Sequence, residues 1–142
     1  MRRVRYGVAM SLDGAIADAQ GGFGAFVSDP AYDQAPFFAG VDTVLMGRLT
    51  YEAMVREGAR SVPGLRGYVF SRTLDPAACP EVSVVADAAA VVAALRAEDS
   101  EKDIWLSGGG VLFRSLVEAG VVDTVEVGIS PVLLGQGVPL LP

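Results

Sequence analysis

Short runs of β-branched and aromatic residues alternate with helix-like runs along this chain, and that alternation constrains the fold more than any other feature. Strands are predicted over residues 4–10, 43–46, 68–70, 82–85, 104–106 and 124–129, each bounded by glycine, proline or charge. Helices are predicted between them. Asp29-Pro30 supplies a cap and a first-turn proline for a helix through Tyr32 to Phe38, with Pro36 inside it. Residues 49–56 form a second helix ending near Gly58, Asp87 caps an alanine-rich helix through Arg96, and residues 111–119 form a helix stopped by Gly120. A succession of βα units builds an α/β fold whose sheet is largely parallel and covered on both faces. Ligands in such folds bind beyond the carboxyl ends of the strands, so the residues after each strand carry the functional information.

At 142 residues the chain is the size of a single domain, 1–142, with no repeat, low-complexity run or linker to divide it. Its 11 Lys and Arg face 17 Asp and Glu, a net charge of −6. That balance argues against broad nucleic-acid binding, which needs a basic face to displace counterions, and favours small-molecule partners. Histidine is absent. His-dependent triads, histidine general bases and the usual zinc ligands are therefore excluded, which leaves carboxylates, hydroxyls, arginines or a borrowed cofactor to carry chemistry. Cys79 is the single cysteine, so neither an internal disulfide nor a multi-cysteine zinc site can form, which fits a reducing compartment. The basic start Met1-Arg2-Arg3-Val4-Arg5 runs into Ser11, Asp13 and Asp18 before an export signal could build its apolar core. The longest uncharged stretch, residues 127–142, is interrupted by Pro131, Gly135, Gly137 and Pro139 and cannot form a spanning helix. A cytoplasmic protein without membrane or nucleic-acid partners is expected.

Three strand ends are suited to anions. After the strand at 104–106 come Ser107 and then Gly108, Gly109 and Gly110, followed by a helix beginning at Val111. Adjacent glycines let backbone N–H groups approach a phosphate at a helix N-terminus, and they serve a tight turn equally well. This is neither a G-x-G-x-x-G nor a Walker A motif, because no lysine follows. At the second junction Gly47 opens a turn, Arg48 can reach a phosphate, and the Thr50 hydroxyl lies at the helix start, where it also suits an ordinary cap. At the third, Ser71-Arg72-Thr73 places a guanidinium between two hydroxyls, a set that suits a phosphate monoester such as the 2′-phosphate of NADPH, or a plain polar loop. Together the three fit a dinucleotide better than any one does.

Further landmarks flank these junctions: Ala9-Met10-Ser11-Leu12-Asp13-Gly14 after the first strand, Val44-Leu45-Met46-Gly47-Arg48-Leu49-Thr50-Tyr51-Glu52, Val69-Phe70-Ser71-Arg72-Thr73, Gly108-Gly109-Gly110-Val111-Leu112-Phe113, and Pro131-Val132-Leu133-Leu134-Gly135-Gln136-Gly137-Val138-Pro139-Leu140. In this order and across essentially the whole chain, they resemble the dihydrofolate reductase-like proteins, in the branch similar to the reductase domain of the bifunctional riboflavin-biosynthesis deaminase/reductase. The resemblance implies a three-layer α/β/α fold around a mostly parallel sheet. It also implies an NADPH-dependent reductase delivering hydride to a small nitrogen heterocycle, or to the ring-opened sugar of a pyrimidine precursor, in riboflavin- or folate-related chemistry. By the same resemblance, Gly47, Arg48 and Thr50 hold cofactor phosphates, and Ser71 and Arg72 lie by the adenosine and its 2′-phosphate. Gly108, Gly109, Gly110 and Val111 approach the pyrophosphate and nicotinamide side, and Gly108-Gly109 is a candidate cis peptide.

Hydride chemistry explains how a chain without histidine could catalyse, since the protein has mainly to place the nicotinamide, exclude water and assist one proton transfer. The catalytic carboxylate candidates are Asp13, which also reads as a turn residue before Gly14, and Asp33 on the predicted first helix, which also reads as a solvent-facing side chain. Two features depart from the family pattern. Relatives carry an Asp-Trp pair where this chain has Gly24-Ala25, and they continue past Pro142 into a terminal hairpin that completes the sheet. The expectation is therefore a sheet without its last hairpin, paired with a second copy as a homodimer. The rival function is a non-catalytic nucleotide-binding or self-associating module of the same fold.

Overall fold

The computed structural model describes residues 1–27 and 29–142. From the N-terminus come β1 (Val4–Ser11), β2 (Ala15–Ala17), α1 (Ala35–Ala39), β3 (Val41–Gly47), α2 (Arg48–Arg56) and β4 (Arg66–Phe70). A single 3-10 turn, Pro76–Ala78, leads to β5 (Ser83–Val85) and α3 (Ala88–Arg96). The chain closes with β6 (Asp103–Gly108), α4 (Gly110–Glu118), β7 (Thr124–Ser130) and β8 (Val138–Pro139). Six strands form one sheet in the order β5-β4-β3-β6-β1-β7, parallel at every pairing. Each strand run anticipated from composition lies within or overlaps one of these six.

Both faces of the sheet are covered, as a parallel arrangement requires. On one face Val4, Tyr6, Leu45, Ile104 and Leu106 pack with Val92 and Leu95 of α3 and with Leu112, Phe113 and Leu116 of α4. Tyr6 stacks on Phe113 with ring centroids 3.8 Å apart. On the other face Val44, Met46 and Val69 meet Tyr51 of α2 and Cys79 after the 3-10 turn. The anticipated helix stops are present. Asp87 accepts a hydrogen bond from the Ala90 N–H at 3.0 Å and starts α3. Gly120, at φ +72°, ends α4 with paired bonds from its own N–H to Val117 and from Val121 N–H to Leu116, the pattern of a left-handed C-terminal cap. No described helix is long and apolar enough to cross a membrane.

The predicted helix from Asp29 is corrected to a much shorter one. Asp29 accepts from Ala31 N–H with its carboxylate and from Tyr32 N–H with its carbonyl, closing a turn, and helical geometry begins only at Ala35. The reason is Pro36, which has no N–H to donate and whose ring collides with the carbonyl four residues back, so it can occupy only a first turn. Asp33 consequently lies in the turn before α1, not on it. Two strands were invisible to sequence patterning. β2 and β8 pair antiparallel, Ala15 with Pro139 and Ala17 with Val138, and are too short to show alternation. The final segment thus turns back onto β2, while β7 remains an edge of the main sheet.

Arg2 ties together the end of the sheet opposite the strand carboxyl termini. Its residue is only 2% exposed. The guanidinium pairs with Asp42 and donates to Thr43 Oγ1, to the Leu95 carbonyl at 3.1 Å and to the Lys102 carbonyl at 2.9 Å. One planar fork therefore joins β1, β3, α3 and the approach to β6. Arg2→Ala strands these acceptors and is expected to lower the unfolding free energy by about 3 kcal/mol, read from urea denaturation at pH 7.

Candidate functional site

Parallel register brings the three anion-suited strand ends to one edge. Gly47 of β3 is level with Phe70 of β4, so Ser71 and Arg72 begin beside Gly47. On the other side Leu45 pairs with Leu106 but Met46 pairs with Gly108. Ser107 is the extra residue in that step, and its hydroxyl donates to the Leu45 carbonyl at 3.2 Å. This bulge sets Gly108 level with Met46, and so Gly109 level with Gly47.

At that edge two neighbouring helices start without a side-chain cap. Gly47 precedes α2 and Gly109 precedes α4, both in extended geometry and neither able to cap with a side chain. Their first-turn N–H groups are left to an external acceptor, and the dipoles of both helices favour a negative one. α3, which starts after β5 farther along the same edge, has its Asp87 cap. The triplet divides into three roles. Gly108, at φ +107° and joined to Gly109 by a cis peptide, faces Tyr6. A Cβ on Gly109 would project to 3.6 Å from Thr50 Oγ1, and one on Gly47 to 3.5 Å from Gly109 N, so these two glycines and Thr50 form one small cradle. Gly110 does not join it. A Cβ there would lie 2.7 Å from Pro142 Cδ and 3.0 Å from the Pro139 carbonyl oxygen, so this glycine lets the last residues pack on α4. Val111 stands 77% exposed on the first turn of α4.

The other expected phosphate ligands differ in availability. Arg48 is held by Glu52 of the same helix, its Nη1 donating to both carboxylate oxygens at 3.0 and 3.1 Å. The Ser71 hydroxyl accepts from Thr73 N–H and Leu74 N–H at 3.1 and 3.0 Å, so it shapes the turn. Arg72 is exposed and has no partner among the described residues.

The two carboxylates are placed unlike each other. Asp13 accepts from Ser11 Oγ at 2.6 Å, Leu134 N–H at 3.1 Å and Gly135 N–H at 2.7 Å. The Ser11 hydroxyl first, then the two amides, hold its carboxyl down from 3.8 to about 2. It is an ionised clamp between the turn after β1 and the segment leading to β8, and a poor source of protons. Asp33 is exposed and accepts from Ala35 N–H at 2.9 Å. The two share no contact.

Sequence reasoning missed an aromatic group beside β1. Phe37 and Phe38 of α1 meet Trp105 of β6 edge to face at 5.7 and 5.4 Å. Trp105 Nε1 donates to the Gly7 carbonyl at 2.9 Å, and a Cβ on Gly7 would lie 2.9 Å from the Phe37 ring. Adjacent phenylalanines before a strand were the available signal, but their partner is distant in sequence. Ser130 at the end of β7 accepts from Val27 N–H at 2.8 Å, fixing the loop that leads to this group.

The parallel six-stranded sheet between helices is a dihydrofolate reductase-like fold. Dihydrofolate reductase from Enterococcus faecalis, solved with NADP(H) and RAB-propyl, superposes with a TM-score of 0.69 at 20% identity, covering 99% of this chain and 77% of that one. A protein of Shewanella sp. PV-4 provisionally assigned to riboflavin biosynthesis superposes with a TM-score of 0.81 at 24% identity, covering 99% and 83%. The chain belongs to the RibD C-terminal domain family, whose profile matches residues 2–142. It is 30% identical to the uncharacterized protein YyaP of Bacillus subtilis (strain 168), over 98% of this chain and 80% of that one. The uncharacterized protein YwjB of the same organism is 29% identical, over 94% and 79%.

The Asp13 clamp has a pH signature. Because its folded pKa is depressed, the clamp contributes stability above the ordinary carboxylate value of 3.8 and loses it as pH falls toward about 2. Asp13→Asn is expected to lower the urea midpoint at pH 7, and its gap from the unsubstituted chain should close across that window.

Proposed function

We propose that this chain is an NADPH-dependent reductase acting on a small nitrogen heterocycle of the pyrimidine or pterin type, in riboflavin- or folate-related chemistry. The observation that carries the reading is the alignment of three anion-suited junctions on adjacent strand ends, two of them opening onto uncapped helices. The residues present fit the group. The cradle of Gly47, Gly109 and Thr50 has room for a phosphate oxygen without a side chain projecting from either glycine, and the free N–H groups of α2 and α4 supply donors. Arg72 is the guanidinium free to meet a 2′-phosphate, and Arg48 offers its remaining donors beside Glu52. NADPH, when bound, supplies the hydride.

The chain's own tasks are positioning and water exclusion. Gly47, Gly109 and Thr50 hold phosphate, while Val111 and the Phe37, Phe38 and Trp105 group supply apolar surface for planar rings. Asp13 keeps the turn after β1 attached to the segment near β8. Asp33 is the carboxylate assigned to proton assistance, directly or through water. A second reading, a nucleotide-binding module without turnover, draws on the commitment of Asp13 to its clamp. Self-association is proposed through β7, a sheet edge on which Val125 and Ile129 are 51% and 60% exposed.

Titrating NADPH against the fluorescence of Trp105, the only tryptophan, and then measuring NADPH consumption with dihydrofolate and pyrimidine substrates tests the reading. Binding with turnover supports the reductase, and binding without turnover supports the module. Arg72→Ala should raise Kd for NADPH about tenfold or more while changing NADH by about twofold or less. Equal weakening of both would remove the 2′-phosphate assignment.

A further inference from the structure

Seven of the ten arginines are held in ion pairs. The three without an acceptor among the described residues are Arg56, Arg60 and Arg72. Arg72 belongs to the strand-end cleft already described. Arg56 and Arg60 instead flank a pocket of about 390 Å³ between α2 and the 3-10 turn, one to two helical turns beyond Arg48.

The pocket has one charged side and one apolar side. Glu52 in its lining is already bound by Arg48, and neither Glu52 nor Glu81, a second acid near Tyr51, pairs with Arg56 or Arg60. Val55, Ala78, Cys79 and Tyr51 supply its apolar lining. Tyr51 is only 3% exposed, and its buried hydroxyl lies beside the Cys79 thiol. Burial foremost, with that thiol adding to it and Arg60 opposing, raises the pKa of the phenol.

We propose that this pocket is a second small-molecule site, separate from the strand-end cleft, for an oxyanion carried on an apolar stem: a phosphate monoester or a carboxylate. Arg56 and Arg60 pair with the oxyanion, and the stem covers Val55 and Cys79. The volume lies within the usual range for small-ligand pockets, roughly 300–1,000 Å³. A bare inorganic ion would leave the apolar lining uncovered, and a neutral stem would leave both arginines unpaired. The proposal stands independently of the reductase reading, because none of its residues belongs to the Gly47, Gly109 and Arg72 junctions.

Calorimetric titration of the full chain with phenyl phosphate, benzoate and phenol tests it. At least one of the two anions is expected to bind with a millimolar or better Kd, and the tighter one identifies the preferred headgroup; phenol should bind about tenfold more weakly or not at all. The Arg56→Gln, Arg60→Gln double variant alters two exposed side chains and should weaken the anion about tenfold or more. Arg72→Ala should leave that affinity unchanged, whatever it does to NADPH. Failure of both anions to bind, phenol binding as tightly as they do, an unaffected double variant, or loss of anion binding in Arg72→Ala would each overturn the proposal.

Discussion

The parallel pairing of β4, β3 and β6 is the constraint on which the rest of this molecule depends. Strands running the same way deliver their carboxyl ends to one edge, so three short turns far apart in sequence become neighbours. Hydrogen bonding between backbones enforces this, and burial of both sheet faces fixes the register, because a one-residue slip would exchange the residues facing α3 and α4 with those facing α2. The bulge at Ser107 makes the last adjustment. Were Ser107 paired in regular register with Met46, Gly108 and not Gly109 would lie level with Gly47.

Charge is distributed in keeping with this division between the two ends of the sheet. At the end away from the cleft, Arg2, Arg3, Arg5, Arg66 and Arg96 are consumed by Asp42, Asp103, Glu126, Glu98 and Asp123. Glu126 is lowered chiefly by its hydrogen bond from Arg5, and Glu98 chiefly by its hydrogen bond from Arg66, so the acids there are committed partners. Exposed pairs of this kind contribute little each, whereas the buried Arg2 fork joins four parts of the chain. In a molecule of net charge −6, a guanidinium left unpaired is uncommon, and the three examples lie on or near α2 and the end of β4.

Local chemistry was legible in the sequence and long-range chemistry was not. The strand runs, the Asp87 cap and the Gly120 stop are decided within a few residues, and each was readable. The first helix failed because an Asp-Pro start and Pro36 compete, and one proline in the wrong turn outweighs a good cap. The Asp13 clamp was equally hidden, since its donors at Leu134 and Gly135 are more than 100 residues away. Arg48 could be read as near the phosphate edge, but its pairing with Glu52 was visible only as an i, i+4 spacing that many helices carry without consequence.

The glycine triplet shows why motif resemblance and mechanism must be separated residue by residue. Three identical side chains in a row suggest one shared purpose, yet each faces a different neighbour. Gly108 is required by its positive φ beside Tyr6 and Gly110 by the close approach of Pro142 and the Pro139 carbonyl, whereas a Cβ at Gly109 would meet Thr50 at ordinary contact distance. Only the middle residue has free space toward the cleft. Methyl groups added at Gly109 and Gly110 would therefore act through different physics. The first would fill space beside Thr50 with the fold intact, while the second would push the final segment from α4 and, through the β2–β8 pairing, disturb the turn that Asp13 holds. The start of α4 is thus coupled to the last residues of the chain by packing at Gly110, and Arg114 of the same helix adds a hydrogen bond to the Pro142 carbonyl.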